Sequence, residues 1–366
     1  MTDRIRVAAI GAVIDIEISD RGGRFDERVR EAWTDALHTG DGEPDAVVAD
    51  RSDLDDDGAL AMLSTDVTLA ALARRRGEAL WMLHAAGLAD DEGRVVVLSA
   101  PSGTGKTTAA RHLSRRFAYV SDETVAIGAD GSVVPYRKPL SVIAADAQHK
   151  VQVAPSAIHG HLSLDGDLRV ARIIVLDRRT DGPEIPVVEP LDLASALELL
   201  APQTSYLSDM PAPLHVISGL LDATGGAVRV RYREVESLDA VIDGFLAVEP
   251  RRVDAPTPAT SAGPEVPAVA ATGDGHERAP VVDVIDLDGG RLALLRRSDA
   301  GSRLHILDGI GPVVWAAAPG RTVAEITDEV VAVYGNPEGA DAEELVEAAV
   351  TRLIADDLLR SAGAHT

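Results

Sequence analysis

At 366 residues the chain is long enough to bury two or three separate cores. Its hydrophobic fraction is 46% with only 3% aromatics, so those cores must be built from Ala, Val, Leu and Ile. A net charge of −24 opposes binding to nucleic acid and anionic membranes, and the lack of cysteine excludes disulfides, thiolate metal sites and a cysteine nucleophile.

The first residues lead into an apolar run that Asp15 and Glu17 interrupt, too short and charged for a signal peptide or a membrane span. The expectation is a soluble, cytoplasmic protein with access to ATP. Residues 5–18 predict one or two strands, and 26–37 an amphipathic helix. Residues 41–58 read as an acidic loop region and 65–75 as a second helix. Together they suggest an N-terminal α/β lobe over residues 1–79. Residues 80–87 then read as a strand, with His84 inside it.

The segment from Ser99 to Thr108 fits the phosphate-binding pattern [AG]-x4-G-K-[ST], with Ala100 in the first slot. Residues 94–98 predict a buried strand before it, and residues 108–113 a helix after it. That order suits the chemistry, because turn N–H groups and the helix dipole converge on anionic oxygens. Ser102, Gly103, Thr104, Gly105, Lys106, Thr107 and Thr108 are therefore candidate nucleotide-binding residues. The glycines permit a tight path, Lys106 reaches the outer phosphates and the Thr107 hydroxyl suits Mg2+.

Residues 119–127 and 132–135 predict a hairpin around Asp130-Gly131. The first of these carries Ser121-Asp122-Glu123. Two readings stand for its carboxylates: a metal and proton-accepting pair beside the phosphate site, or a solvated acidic turn. Asp177, ending the apolar run 173–176, competes with Asp122 as a metal ligand or merely turns the chain. His84 reads equally as a core histidine. Arg137 and Lys138 are phosphate or acceptor holders, or plain exposed bases. His149, His159 and His161 read as loop histidines. Residues 172–176 and 228–232 predict further strands, and 191–200 and 238–246 further helices, giving an α/β domain over residues 80–248.

Residues 249–280 carry six prolines among Ala, Thr, Gly and Val without apolar periodicity, and read as a flexible tether. A tether of about 30 residues has an r.m.s. span of roughly 30 Å. Residues 281–362 change pattern. Strands are expected at 281–285, 291–296 and 303–307, then helices from 308, from a capping box Thr322-Val323-Ala324-Glu325, and from Asp341.

His84-Ala85-Ala86-Gly87, the segment Ser102–Thr107 and Ser121-Asp122-Glu123, in this order, resemble the HPr kinase/phosphorylase superfamily. The resemblance implies the fold shared by HPr kinase and phosphoenolpyruvate carboxykinase, with ATP and Mg2+ as cofactors. It implies that His84 contacts the transferred phosphate, and that Lys106 holds the β- and γ-phosphates. Thr107, Asp122 and Glu123 would organise the metal, and Asp122 would take the acceptor's proton. It also hints at a homo-oligomer. Glu123 stands where that family has a second Asp, Thr108 where its bifunctional members carry an acid, and their C-terminal signature is missing. These departures speak against phosphorylase activity.

The last module resembles the PqqD-like domains that recognise leader peptides of ribosomal peptide natural products. The match rests on residues 304–311, Val314-Trp315, residues 322–326 and residues 353–359. It implies a small α+β winged-helix domain that binds a leader as an added edge strand, along residues 303–307 and 344–358. The expected function is thus an ATP-dependent kinase of a Ser or Thr hydroxyl in a precursor peptide, as in lasso-peptide tailoring. The alternatives are a small-molecule kinase and a nucleotide-gated leader-binding scaffold without transfer. Nucleic acid and membrane are not expected partners.

Overall fold

A computed structural model describes residues 3–21, 24–101, 104–143, 150–159, 164, 166–248, 268, 275–299 and 301–361. Among them the chain is mixed α/β, with several sheets and ten α-helices. Its contacts fall into two units, Met1–Met210 with Val216–Thr257, and Pro211–His215 with Pro258–Thr366.

The first unit opens on an antiparallel hairpin of β1 (Asp3–Ala9) and β2 (Ala12–Ile18), whose turn residues Ile10 and Gly11 both have positive φ. Alternation buries Ile5, Val7 and Ala9 against Ile14, Ile16 and Ile18. Helix α1 (Phe25–Ala32) stops short of the expected span to residue 37, which continues only as a 3-10 turn at Thr34–Ala36. Strand β3 (Ala46–Ala49) joins β2 in parallel. Helix α2 (Asp56–Arg74) begins well before the expected residue 65. The Asp55 side chain caps it by accepting from the Gly58 N–H at 2.8 Å, and Asp56 and Asp57 suit the positive helix end. The acidic stretch 41–58 is loop at 41–45 and 50–55, interrupted by β3 and running into the start of α2; Asp55 caps that helix, while Asp45, Asp50, Asp56 and Asp57 pair with arginines. Trp33, Leu63 and Val67 fill this core together with Leu80, Met82 and Tyr136 from further along.

Next come β4 (Leu80–Leu83), β5 (Ala85–Ala89), β6 (Arg94–Ser99), α3 (Lys106–Leu113), β7 (Ala118–Ser121), β8 (Val125–Gly128) and β9 (Val133–Val134). The single strand expected over 80–87 breaks at His84, and that over 119–127 breaks at residues 122–124. Strand β4 pairs with β8 while β5 pairs with β7, so one antiparallel ribbon leaves one sheet and enters another at these breaks. A register shift opposite Gly87 and Leu88 leaves Val120 as an extra residue, a bulge that bends β7 just before the corner.

The chain continues through β10 (Leu140–Ile143), β11 (Lys150–Val153), α4 (Pro155–His159), β12 (Arg169–Arg178), β13 (Val187–Pro190), α5 (Leu193–Leu200), α6 (Pro213–Ala223), β14 (Ala227–Tyr232) and α7 (Leu238–Leu246). The main sheet runs β13-β14-β12-β6-β5-β7, with β6, β12 and β14 parallel. Val96, Leu98, Ile174 and Val230 pack on one face with Ala109, Leu113 and Ile242 of α3 and α7. The alternate residues Val95, Val97, Ile173 and Val175 are buried too, as parallel strands covered on both faces require.

In the second unit, β15 (His276–Arg278) precedes β16 (Asp283–Leu287), β17 (Arg291–Ser298) and β18 (Gly301–Leu307), which form a meander with β18 at one edge. Helices α8 (Gly311–Ala317), α9 (Val323–Tyr334) and α10 (Ala342–Ala355) follow, and β19 (Leu359–Ser361) pairs with β15. The expected capping box is present, Thr322 and Glu325 satisfying each other's N–H groups. Trp315, Ile326, Val346, Val350 and Leu353 pack with Leu294 and Leu307. The tether expected over 249–280 lies outside the described residues except for 268 and 275–280. Of these, 276–278 form a strand of the second unit, paired by a β19 that the sequence pattern did not show.

Candidate functional site

Strand β6 delivers the chain to the glycine-rich turn and α3 carries it away. Thr104 tightens the turn: its hydroxyl donates to the Pro101 carbonyl at 2.6 Å and its N–H to the same oxygen at 3.3 Å. Ser102 and Gly103 lie outside the described residues. Gly105 holds φ at +96° as the residue before α3, and no side chain caps the helix there. Among the described residues, the N–H groups of its first turn, those of Thr107 and Thr108 among them, therefore have no side-chain partner. Both threonine side chains are exposed.

Lys106 bends back into the protein, where its ammonium donates to the His84 carbonyl at 3.1 Å. Burial pushes this amine down to about 8, against the upward pull of Glu123 and Asp122.

The ribbon corner brings the remaining candidates to the same place. His84 Nδ1 lies 3.1 Å from Glu123 Oε1, and the Ala85 N–H donates to the Glu123 carbonyl at 3.2 Å. The His84 N–H donates to the Gln203 carbonyl at 2.7 Å, closing the gap left by the strand break. Burial raises the Glu123 carboxyl, but the His84 hydrogen bond and the charges of His84, Lys138 and Lys106 outweigh it and hold the group below its ordinary value. Asp122 Oδ1 accepts from the Tyr119 hydroxyl at 2.7 Å and lies 3.7 Å from Lys138 Nζ. Burial, then the Asp122 charge, pushes the Tyr119 hydroxyl well up, so it remains a donor. Thr107 and Asp122 line one small cavity with Tyr119, Leu140, Ser141 and Ile158.

One open alternative falls away and one partner is added. Lys138 is buried against Asp122 and is not an exposed base. Tyr119, which sequence reasoning passed over, is a direct partner of Asp122; the signal was a tyrosine three residues ahead of the acid, displaced onto it by the bulge. Arg137 is half-buried, and its Nε has no partner among the described residues. Asp177 ends β12 beside β6, where it pairs with Arg179 at 3.0 Å and Arg231 at 3.8 Å. The side chains of His149, His159 and His161 lie outside the described residues.

Magnesium fits the donors present. The Thr107 hydroxyl and Asp122 carboxylate share a cavity, and Glu123 adjoins, all hard oxygen groups. Among the described residues no group of three or more His, Cys, Asp or Glu gathers as a metal cage. Mg2+ suits such a place, since it is commonly held by one or two carboxylates together with substrate phosphates. No described helix is long and apolar enough to cross a membrane. No protein-family model matches the chain, and none of the curated proteins matches it.

Proposed function

We propose that this protein is an HPr-kinase-like, ATP-dependent peptide kinase. It moves the γ-phosphate to a Ser or Thr hydroxyl of a ribosomally made precursor, whose leader is held by the second unit acting as a PqqD-like domain. One observation carries the reading. His84, the pair Lys106 and Thr107, and the pair Asp122 and Glu123 come from three separate segments and meet beside the glycine-capped start of α3. Phosphoryl transfer asks the protein for positioning and charge stabilisation above all, and this set supplies both.

The N–H groups opening α3 and the Lys106 ammonium receive the nucleotide's phosphates. Thr107 and Asp122, with Glu123 beside them, would hold Mg2+, which when bound neutralises charge on the phosphate oxygens. Glu123, kept ionised, accepts from His84 Nδ1–H and leaves Nε2 as the free nitrogen of that ring. Asp122 accepts the proton of the acceptor hydroxyl as its oxygen bonds to the γ-phosphorus, while the bond to the β-phosphate oxygen breaks and ADP departs. Tyr119 and Lys138 keep the Asp122 carboxylate oriented for that step. Leader capture by the second unit would raise the local concentration of the acceptor to the order of millimolar.

Asp122→Asn is the sharp test. ATP binding should persist while label transfer from γ-labelled ATP to precursor peptide falls by about 100-fold or more. Unchanged transfer rules Asp122 out as the base.

A further inference from the structure

The other flank of the glycine turn holds groups that the reading above leaves unused. Strand β12 runs parallel to β6 with Val175 opposite Ser99, so its last residues run alongside the loop that follows β6. There Arg178 is the register partner of Tyr232 on β14, and the two side chains leave the sheet on the same face. Both reach Gly105. A methyl group placed on Gly105 would lie 3.3 Å from Arg178 Cδ, 3.8 Å from Arg178 Nη1 and 3.8 Å from the Tyr232 hydroxyl oxygen.

The described protein leaves the Tyr232 hydroxyl without a partner and Arg178 without a carboxylate. Tyr232 is fully buried, yet its hydroxyl has no hydrogen-bond partner among the described residues. A buried orphan donor carries an uncompensated desolvation cost, and the ring's packing does not need the oxygen: Tyr232 sits in an otherwise apolar cluster with Val230 and Leu238. Arg178 makes one described bond, from Nε to the Arg233 carbonyl at 3.2 Å. Its neighbours Arg179, Arg231 and Arg233 all pair with carboxylates, while no described carboxylate pairs with Arg178. A guanidinium, an unused hydroxyl and the positive end of α3 thus crowd one glycine. Such a concentration of donors calls for an anion.

We propose that Arg178 and Tyr232 form the second wall of the phosphate site, donating to phosphate oxygens of a nucleoside triphosphate seated at Gly105. Lys106 of α3 and His84, which immediately precedes β5 on the opposite side of β6, form the first wall. The nature of the ligand rests on the kinase reading; the two donors and their target position rest on the geometry alone. A side chain at residue 105 would stand between these groups and the anion.

The test is ATP titration by calorimetry on the full chain, with Tyr232→Phe, Arg178→Ala and Lys106→Ala beside the wild type, and thermal melts of each without ligand. Tyr232→Phe should weaken ATP binding about tenfold or more while its melting temperature stays level or rises, because an orphan hydroxyl has been removed. Arg178→Ala should weaken binding by a similar factor. Either variant binding as tightly as the wild type removes that residue from the site, and a lower melting point with unchanged affinity assigns Tyr232 to the fold and overturns its role. If Lys106→Ala loses ATP while both other variants keep it, this proposal fails and the loop reading survives. If the wild type itself binds no ATP, the loop reading fails and takes the second wall with it.

Discussion

Lys106 must be charged to hold phosphate, yet only 7% of it is exposed and burial holds its amine down to about 8. Between about 8 and the ordinary value of 10.5 the folded chain binds fewer protons than the unfolded one. This group's contribution to stability therefore rises with pH across that window, while a hold on phosphate by the ammonium would weaken. ATP affinity measured in EDTA should fall as pH rises past 8, and binding at pH 8–9 should take up a proton, visible in buffers of different ionisation enthalpy. In Lys106→Met that pH step should vanish. The placement of Lys106 at the opening of α3 was legible because the glycine-rich motif is local in sequence. The contacts of Tyr119 and Lys138 with Asp122 were not, because one depends on the bulge at Val120 and the other joins residues 16 apart in sequence.

The glycine turn, the ribbon corner and the caps are the elements that matter. Gly105→Ala forces a side chain into a φ of +96° and within 3.3 Å of Arg178 Cδ. Urea unfolding should show a loss of about 1–3 kcal/mol, together with loss of ATP binding. Asp55→Ala removes the cap of α2, a helix in the N-terminal core, and should cost about 1 kcal/mol with transfer activity unchanged. That contrast separates damage to the site from damage to the fold. The strand–turn–helix around the loop could be read in advance, since the apolar run, the glycines and the helix pattern occur in order. The corner could not. Residues 80–83 and 85–89 are buried throughout, so hydrophobicity runs on through the break; only strand pairing, which joins distant residues, shows that two sheets meet there. Within the acidic stretch 41–58, a loop for most of its length, only β3 and the start of α2 went unread, because a carboxylate that caps a helix looks like one of a solvated loop.

At the scale of the whole molecule, the division into two units came from a change in composition that any reader of residues 249–280 meets, although most of that segment lies outside the described residues. The meander and the capping box of the second unit were visible in the pattern; the β15–β19 pair, joining residues 276–278 to 359–361, was not, because three-residue strands carry too little periodicity. If the second unit captures a leader, adding free leader peptide in excess should raise the apparent KM for the full precursor several-fold and leave kcat unchanged. A short acceptor without a leader should be insensitive to it. The most direct measurement of the central claim is single-turnover transfer from γ-labelled ATP to the precursor, comparing the wild type with Lys106→Ala at saturating peptide. Labelled peptide is expected from the wild type, and transfer at least about 100-fold slower from a folded Lys106→Ala. Equal labelling by the two proteins, or no labelling by a wild type that binds both ATP and precursor, would contradict that claim.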